Sequence, residues 1–111
     1  MAVKSYVATL TATSTNLREL LFPKGSQGDK DDCSFSFLRL EADKANTADA
    51  FVGEAGKTIS STEYGSRLDP TDTAAHRVAE FHRNGAGLLR LSDFAAVGTA
   101  GEKIAIIGVV A

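Results

Sequence analysis

Two histidines are the residues best suited to metal or acid–base chemistry in this sequence. His76 and His82 are the only histidines, and on a helix His76 would lie beside Glu80. Such a pair can supply two ligands to zinc, which takes three or four from a protein. No third ligand follows at a suitable spacing, and the single Cys33 is far away in the chain. We therefore predict no metal site and interpret both histidines as surface or inter-subunit side chains.

Carboxylates form the second set of candidates. Asp29, Asp31 and Asp32 cluster in a polar segment and have the oxygen ligands that Ca²⁺ prefers. The segment lacks the alternating acidic positions, central glycine and terminal glutamate of an EF-hand loop. Glu41 and Asp43 are close in sequence, but no apolar pocket is predicted around them that would raise one pKa. We interpret the aspartates as a solvated acidic loop.

Nucleophiles and phosphate-binding loops are equally incomplete. The hydroxyls of residues 60–62 have no companion base, and no Gly-x-Ser-x-Gly sequence is present. The Gly85-Ala-Gly87 sequence has neither a following helix nor the lysine of a phosphate-binding loop. Cys33 is predicted to lie in a strand beside phenylalanines, where a thiol usually behaves as a small buried hydrophobic group. We predict that the protein is not an enzyme and holds no cofactor.

Composition narrows the class of protein further. With 111 residues, the chain is predicted to form one domain over residues 1–111. Twelve basic and fourteen acidic residues give a net charge of −2, which argues against nucleic acid as a partner. No apolar run approaches the roughly 18 residues of a membrane span. The N-terminal residues do not have a signal-peptide profile, and the single cysteine favours synthesis in a reducing cytoplasm.

Three segments have the two-residue period of strands. Residues 4–13 alternate, with Tyr6, Ala8, Leu10 and Ala12 on one face and Val7, Thr9, Thr11 and Thr13 on the other. Residues 33–42 are apolar on both faces, which predicts a central strand or a bulge that changes the inward side. Residues 104–110 are also apolar on both faces, so this strand should be central.

Shorter signals connect these strands. Asn16 followed by Glu19 predicts a helix N-terminus, and Pro23 should close that short helix. Residues 49–53 are predicted to pair with residues 57–62 as a hairpin. A single helical turn capped by Ser92 should precede the glycine-containing turn before the last strand.

The segment at residues 71–84 permits two interpretations. Ala75, Val78, Ala79 and His82 recur at helical spacing, and Asn84-Gly85 would suit a helix C-terminus. The alternation of a strand is weaker here, so the residues alone slightly favour helix, whereas the strand-rich surroundings favour strand. Together the segments predict a mainly β protein, an antiparallel β-sandwich or barrel of about six to eight strands with one or two short helices.

Two segments resemble small virion structural proteins of tailed bacteriophages. Residues 42–53 and 58–70 have an Asn-Thr step before a strand that ends in Val-Gly, followed by a serine-rich segment, a glycine and a turn with proline. Residues 91–104 have the Leu-Ser-Asp-aromatic…Gly-Thr-x-Gly-x-Lys-hydrophobic pattern of the same proteins. These segments lie in the C-terminal two-thirds of the chain, and in this family the region before the Leu-Ser-Asp turn is usually extended, which shifts the expectation for residues 76–81 to strand.

The resemblance implies a capsid decoration, or cement, protein on the virion surface, made in the host cytoplasm. Its expected partners are the major capsid protein and other copies of itself, with a trimer as one arrangement, and neither nucleic acid nor membrane. The family carries no catalytic residues. The two polar loops at residues 23–32 and 84–87 are the expected contact regions, with the candidate partner-binding residues Lys24, Gln27, Asp29, Lys30, Asp31, Asn84 and Gly85.

Two other functions stay open at this point. The resemblance also fits another position in the virion, namely that of a tail, collar or fibre-attachment component. It could also be a carbohydrate-binding or host-adhesion module, which would need exposed aromatic side chains over a groove.

Overall fold

The fold is known from a computed structural model that describes residues 2–23, 34–70, 77–82 and 88–111. In chain order its strands are β1 (Val3–Thr9), β2 (Thr15–Asn16), β3 (Ser34–Ala42), β4 (Ala50–Glu54), β5 (Ser66–Leu68), β6 (Val78–His82), β7 (Leu89–Arg90), β8 (Phe94–Val97) and β9 (Lys103–Val110). One helix, α1 (Leu17–Leu21), follows β2, and a 3-10 turn at Leu91–Asp93 precedes β8.

The strands form two antiparallel sheets. Sheet A has the order β1-β9-β3-β6, with β7 also paired to β3, and sheet B has the order β2-β8-β4-β5. Buried side chains from both sheets form one apolar cluster, to which Leu40 and Ile106 contribute from sheet A and Val52 and Leu68 from sheet B. The predicted antiparallel β-sandwich is therefore confirmed, and seven of its strands are three residues or longer.

Strand β3 has both features that its sequence predicted. It is central, because β9 lies on one side and β6 and β7 lie on the other. Its pairing with β9 shifts register between Phe35 and Phe37. This bulge lets Phe35 and Leu38, three positions apart, both point into the core, where each is fully buried.

Strand β9 is central as predicted, between β1 and β3. Its two faces differ, however: Ile104 and Ile106 are fully buried, whereas Ile107 is 37% exposed.

Strand β1 confirms the predicted alternation at Ala8, which is buried, and Val7, which is exposed. The strand ends at Thr9, so the prediction that Ala12 lies on the inner face was wrong, and its side chain is exposed.

The predicted start of the short helix is confirmed. The Asn16 side-chain oxygen accepts a hydrogen bond from the Glu19 N–H at 2.9 Å and so caps α1. Just after the helix, the Phe22 ring meets Tyr6 of β1 edge-on, with centroids 5.8 Å apart. The predicted cap at Ser92 was wrong, because the Asp93 carboxylate instead accepts the Arg90 N–H at 3.0 Å.

The hairpin predicted between residues 49–53 and 57–62 was also wrong. The partner of β4 is β5, with Ala50 opposite Leu68. Residues 55–65 form a loop that folds back over sheet B and buries Ile59. That side chain packs over Gly53, where an added Cβ would lie 2.6 Å from Ile59 Cδ1. Residues 57–62 contain only one large apolar side chain, Ile59. Burial of that side chain stabilises the loop more than a strand would be stabilised, because a strand here would have too few apolar residues to cover a sheet face.

Residues 78–82 form a strand, so the helical interpretation was wrong for this part of the segment. Strand β6 pairs antiparallel with β3, and Ala79 lies opposite Leu40. Ala79 is buried in the common core. The contacts that residues 78–82 gain by pairing with β3 determine their conformation, because only a few apolar residues favour a helix.

Candidate interaction surfaces

All seven candidate partner-binding residues lie outside the described part of the chain, as do Cys33 and His76. The prediction that Lys24, Gln27, Asp29, Lys30, Asp31, Asn84 and Gly85 contact a partner therefore stays a prediction. Among the described residues, no group of three or more His, Cys, Asp or Glu side chains is placed to hold a metal ion. His82 is described, and its ring packs against Phe37 with centroids 4.9 Å apart.

The other polar candidates from the sequence have local structural partners. The Ser60 hydroxyl lies 3.1 Å from that of Thr62 and accepts the Glu63 N–H at 3.2 Å, which stabilises a turn. Glu41 forms ion pairs with Arg39 and Arg77, each at 3.5 Å. These contacts give Ser60 and Glu41 local structural roles.

The outer face of sheet A carries an exposed apolar surface. Because Ala8, Ile104 and Ile106 point into the core, the alternate residues of β1 and β9 must point outward. Of these, Val3 is 60% and Val7 is 64% exposed. The register places the outward residues next to one another, and we call this set the apolar patch: Val3 beside Val109, Val7 beside Ala105, and Ile107 beside Ser5.

The other half of the same face carries charged residues beside the Phe37–His82 ring pair. On β3 and β6, Arg39 lies opposite Glu80, with an N–O distance of 3.8 Å. Arg39 also lies beside Ile107 of the apolar patch. An apolar centre with charged residues at its side is the usual anatomy of a protein–protein interface. The outer face of sheet A is therefore a candidate docking surface.

A groove of about 700 Å³ lies on the outer face of sheet B. Phe51 and Val97, which face each other across β4 and β8, line it together with Ile59 from the covering loop. The Phe51 ring also packs against Tyr64, with centroids 5.0 Å apart, and Tyr64 is 44% exposed. Hydroxyl-bearing residues also line the groove, namely Thr13, Ser14, Thr58, Ser60, Ser61 and Thr99, together with Ala12, Ala48, Asp49 and Gly98.

One polar cluster joins the loop after β3 to the turn before β9. The Asn46 amide donates to the Lys103 carbonyl at 2.7 Å and accepts the Lys103 N–H at 3.0 Å. The Glu102 carboxylate accepts hydrogen bonds from the Thr47 N–H at 2.6 Å, the Thr47 hydroxyl at 2.9 Å and the Ala48 N–H at 3.2 Å. The Thr47 N–H, above all, lowers the pKa of Glu102, and partial desolvation opposes the shift.

This cluster joins two parts of the chain that the sequence analysis singled out separately. The Asn-Thr step of the first segment is Asn46-Thr47, and the Gly-x-Lys of the second is Gly101-Glu102-Lys103. Gly101 has a φ of +92°, a conformation that other residues rarely adopt, and the turn that it forms presents Glu102 to Thr47. The segments are parts of one structural unit.

Neither candidate surface was identified from the sequence. The apolar patch had a signal, namely the apolar residues on both faces of residues 104–110, from which only the central position of the strand is predicted. The groove had none, because it depends on where the loop at residues 55–65 folds.

No described helix has the length and apolar character required to cross a membrane. Comparison with protein-family models and with curated proteins finds no match to this chain.

Proposed function

We propose that this protein is a structural component of a tailed-phage virion, and most specifically a decoration protein that binds the major capsid protein on the outside of the shell. The observation that carries the proposal is the apolar patch on sheet A. A sandwich that presents exposed Val3, Val7 and Ile107 on one sheet face is suited to docking on another protein. The resemblance of the two C-terminal segments supplies the kind of partner.

A decoration protein stabilises a shell by burying surface at joints between subunits, and each weak contact is multiplied by the number of copies. The apolar patch would supply the buried centre of such a contact, and the Arg39–Glu80 pair would lie at its rim. Further copies of this chain, in one arrangement a trimer, complete the expected set of partners.

The experiment that tests the proposal is the copy number of this chain in purified particles, measured by quantitative mass spectrometry against the major capsid protein. Hundreds of copies in a simple ratio to the shell subunit would support decoration. A dozen or fewer would favour the tail, collar or fibre-attachment alternative. Absence of the chain from particles would overturn both.

The groove on sheet B favours a second candidate function, a carbohydrate-binding or host-adhesion module. Its Phe51 offers an aromatic surface for a sugar ring, and its hydroxyl lining offers hydrogen-bonding groups. A glycan array with the isolated protein tests this function, and a Phe51→Ala variant should lose any glycan that the protein retains. If no glycan is retained, this candidate is excluded.

A further inference from the structure

We infer that the free edge of β1 pairs with β1 of a second copy, antiparallel about a twofold axis at Ser5. This pairing is independent of the capsid role, because it uses only the strand edge and the sequence of β1. It specifies the surface through which two copies of the chain associate.

The first observation is the direction of the backbone groups of β1. Leu10 donates to the Glu102 carbonyl at 2.7 Å, and the Ala2 carbonyl accepts the Val110 N–H at 2.9 Å. Hydrogen-bonded pairs alternate along an antiparallel ladder, so the even-numbered residues of β1 are those bonded to β9. The N–H and C=O groups of the odd-numbered residues Val3, Ser5, Val7 and Thr9 therefore point away from β9.

The second observation is that this edge lacks a bulge and a proline, two of the features that block strand pairing, and that its one charged residue is Lys4, on the opposite face from Val3, Ser5 and Val7. β1 is the terminal strand of sheet A, and β9 is its only strand partner in the described part of the chain. Its register with β9 runs without a shift from Val3–Val109 to Thr9–Lys103, so the strand contains no bulge. It has no proline, and its outward side chains at Val3, Ser5 and Val7 are uncharged.

The third observation identifies the second copy as the partner. The sequence Val3-Lys4-Ser5-Tyr6-Val7 is symmetric in the side chains that share the outer face, which are valine, serine and valine. With Ser5 opposite Ser5 of the second copy, each Val3 lies opposite a Val7. Such pairs of β-branched or hydroxyl side chains stabilise a sheet. The two Lys4 residues do not face each other in this register, because each lies opposite a Tyr6.

The symmetry of this contact has a consequence for the assembly. An isologous contact uses the same surface on both copies and closes at two, so this edge makes a dimer and cannot make a trimer. Antiparallel neighbours in one sheet present the same face to the same side. The apolar patches of both copies would therefore merge into a single docking surface of twice the size.

Charge substitutions at the axis test the dimer in the isolated protein. We expect twice the monomer mass of 11.7 kDa by light scattering after gel filtration. Ser5→Lys alone and Ser5→Glu alone should each raise the dimer dissociation constant about threefold to fivefold, because like charges then meet at the axis. An equimolar mixture of the two variants should dimerise more tightly than either variant alone. Thr9→Lys, on the same exposed face but away from the axis, should leave the dimer intact.

A cysteine experiment locates the axis directly. In a background with Cys33→Ser, Ser5→Cys should form a disulfide between copies on mild oxidation, since paired strand residues have Cα atoms about 5.5 Å apart, within the range of a disulfide. Thr9→Cys should not, because in this register the two Thr9 residues lie at opposite ends of the paired strands. A monomeric or trimeric protein, a dimer dissociation constant that Ser5→Lys leaves unchanged, or equal cross-linking at both positions would overturn the inference. None of these results depends on the copy number in particles.

Discussion

Asn46 shows how a single side chain can complete the end of a sheet. It is the one buried polar residue found in the described part of the chain, and its amide pairs with both backbone groups of Lys103, as a neighbouring strand would. The loop after β3 is thus held against the start of β9 without a further strand. A buried amide is stable in such a place only while both of its hydrogen-bonding groups have partners.

We expect Asn46→Ala to lower the free energy of unfolding by about 1–2 kcal/mol, because it leaves the Lys103 N–H without its acceptor and removes one of the two hydrogen bonds to the Lys103 carbonyl. The other hydrogen bond, from the Asp43 N–H at 3.1 Å, remains. Chemical denaturation measures the loss. Lys44→Ala, in the same loop and exposed, should change stability by less than about 0.5 kcal/mol. Equal effects of the two substitutions would show that the amide does not act as described.

Glu102 should make stability depend on pH. Its folded-state pKa is lowered from the ordinary value of 4.5, so folding favours the ionised carboxylate. Its stabilising contribution is therefore complete above about pH 4.5 and is lost as the pH falls through the lower folded-state pKa.

Glu102→Gln should remove that dependence. We expect the variant to be less stable than the parent at pH 7 and the difference to shrink on acidification toward pH 3, as measured by urea denaturation across this range. Glu54→Gln, an exposed glutamate at the end of β4, serves as the matched control. A difference between Glu102→Gln and the parent that is constant with pH would contradict the role of the ionised carboxylate.

At the scale of elements, the bulge of β3 and the neighbouring strand β9 are closely packed at one point. The bulge of β3 turns Phe35 inward over Gly108 of β9, and a Cβ added at Gly108 would lie 2.5 Å from the Phe35 ring. The bulge and the glycine therefore depend on each other.

We expect Gly108→Ala to cost about 1–3 kcal/mol of stability, because the Phe35 ring must move out of a closely packed core. Gly56→Ala is the matched control, since nothing lies within 4 Å of its added Cβ. Thermal unfolding of both variants measures the difference. If Gly108→Ala is as stable as the control, the core around Phe35 and Gly108 is less closely packed than the structure shows.

The elements also show where sequence reasoning succeeds and where it fails. Strands β1, β3 and β9 were predictable, because each has enough alternating or β-branched residues to determine its own state. The pairing of β4 with β5 was not predictable. Strand β5 has only three residues, and it follows a loop that the Ile59 side chain anchors to the sheet at Gly53. The bulge was one of two alternatives, and only the pairing with β9 shows that β3 is both bulged and central.

At the scale of the whole molecule, the two sheets present different outer surfaces. Sheet A has the apolar patch and a half that carries charged residues, whereas sheet B has a hydroxyl-lined groove covered in part by a loop. Neither surface was predictable, since each combines residues distant in sequence: Val7 meets Ala105, and Phe51 meets Val97. The sequence predicted loops as contact regions, and the described residues add a sheet face to them.

If the apolar patch binds the capsid, Ile107→Asp should weaken binding by at least about tenfold, because a carboxylate would be buried in the interface. The free variant should remain folded, because the positive charge of Arg39 lies beside the new carboxylate at position 107. Thermal unfolding of the free variant checks this. Co-sedimentation with particles stripped of the protein measures binding. Thr9→Asp, at the margin of the same face, should bind normally, and normal binding of Ile107→Asp as well would place the contact elsewhere.

The position of β9 also determines when the protein can fold. It lies between β1 and β3, and the register joins Val3 to Val109, although more than a hundred residues separate them. During synthesis, neither β1 nor the adjacent edge of β3 has its sheet partner until β9 leaves the ribosome. Pairing between such distant segments is slow, typically milliseconds to seconds. Until then the apolar strands can associate with other chains. We therefore expect the protein to be most prone to aggregation while it is a nascent chain.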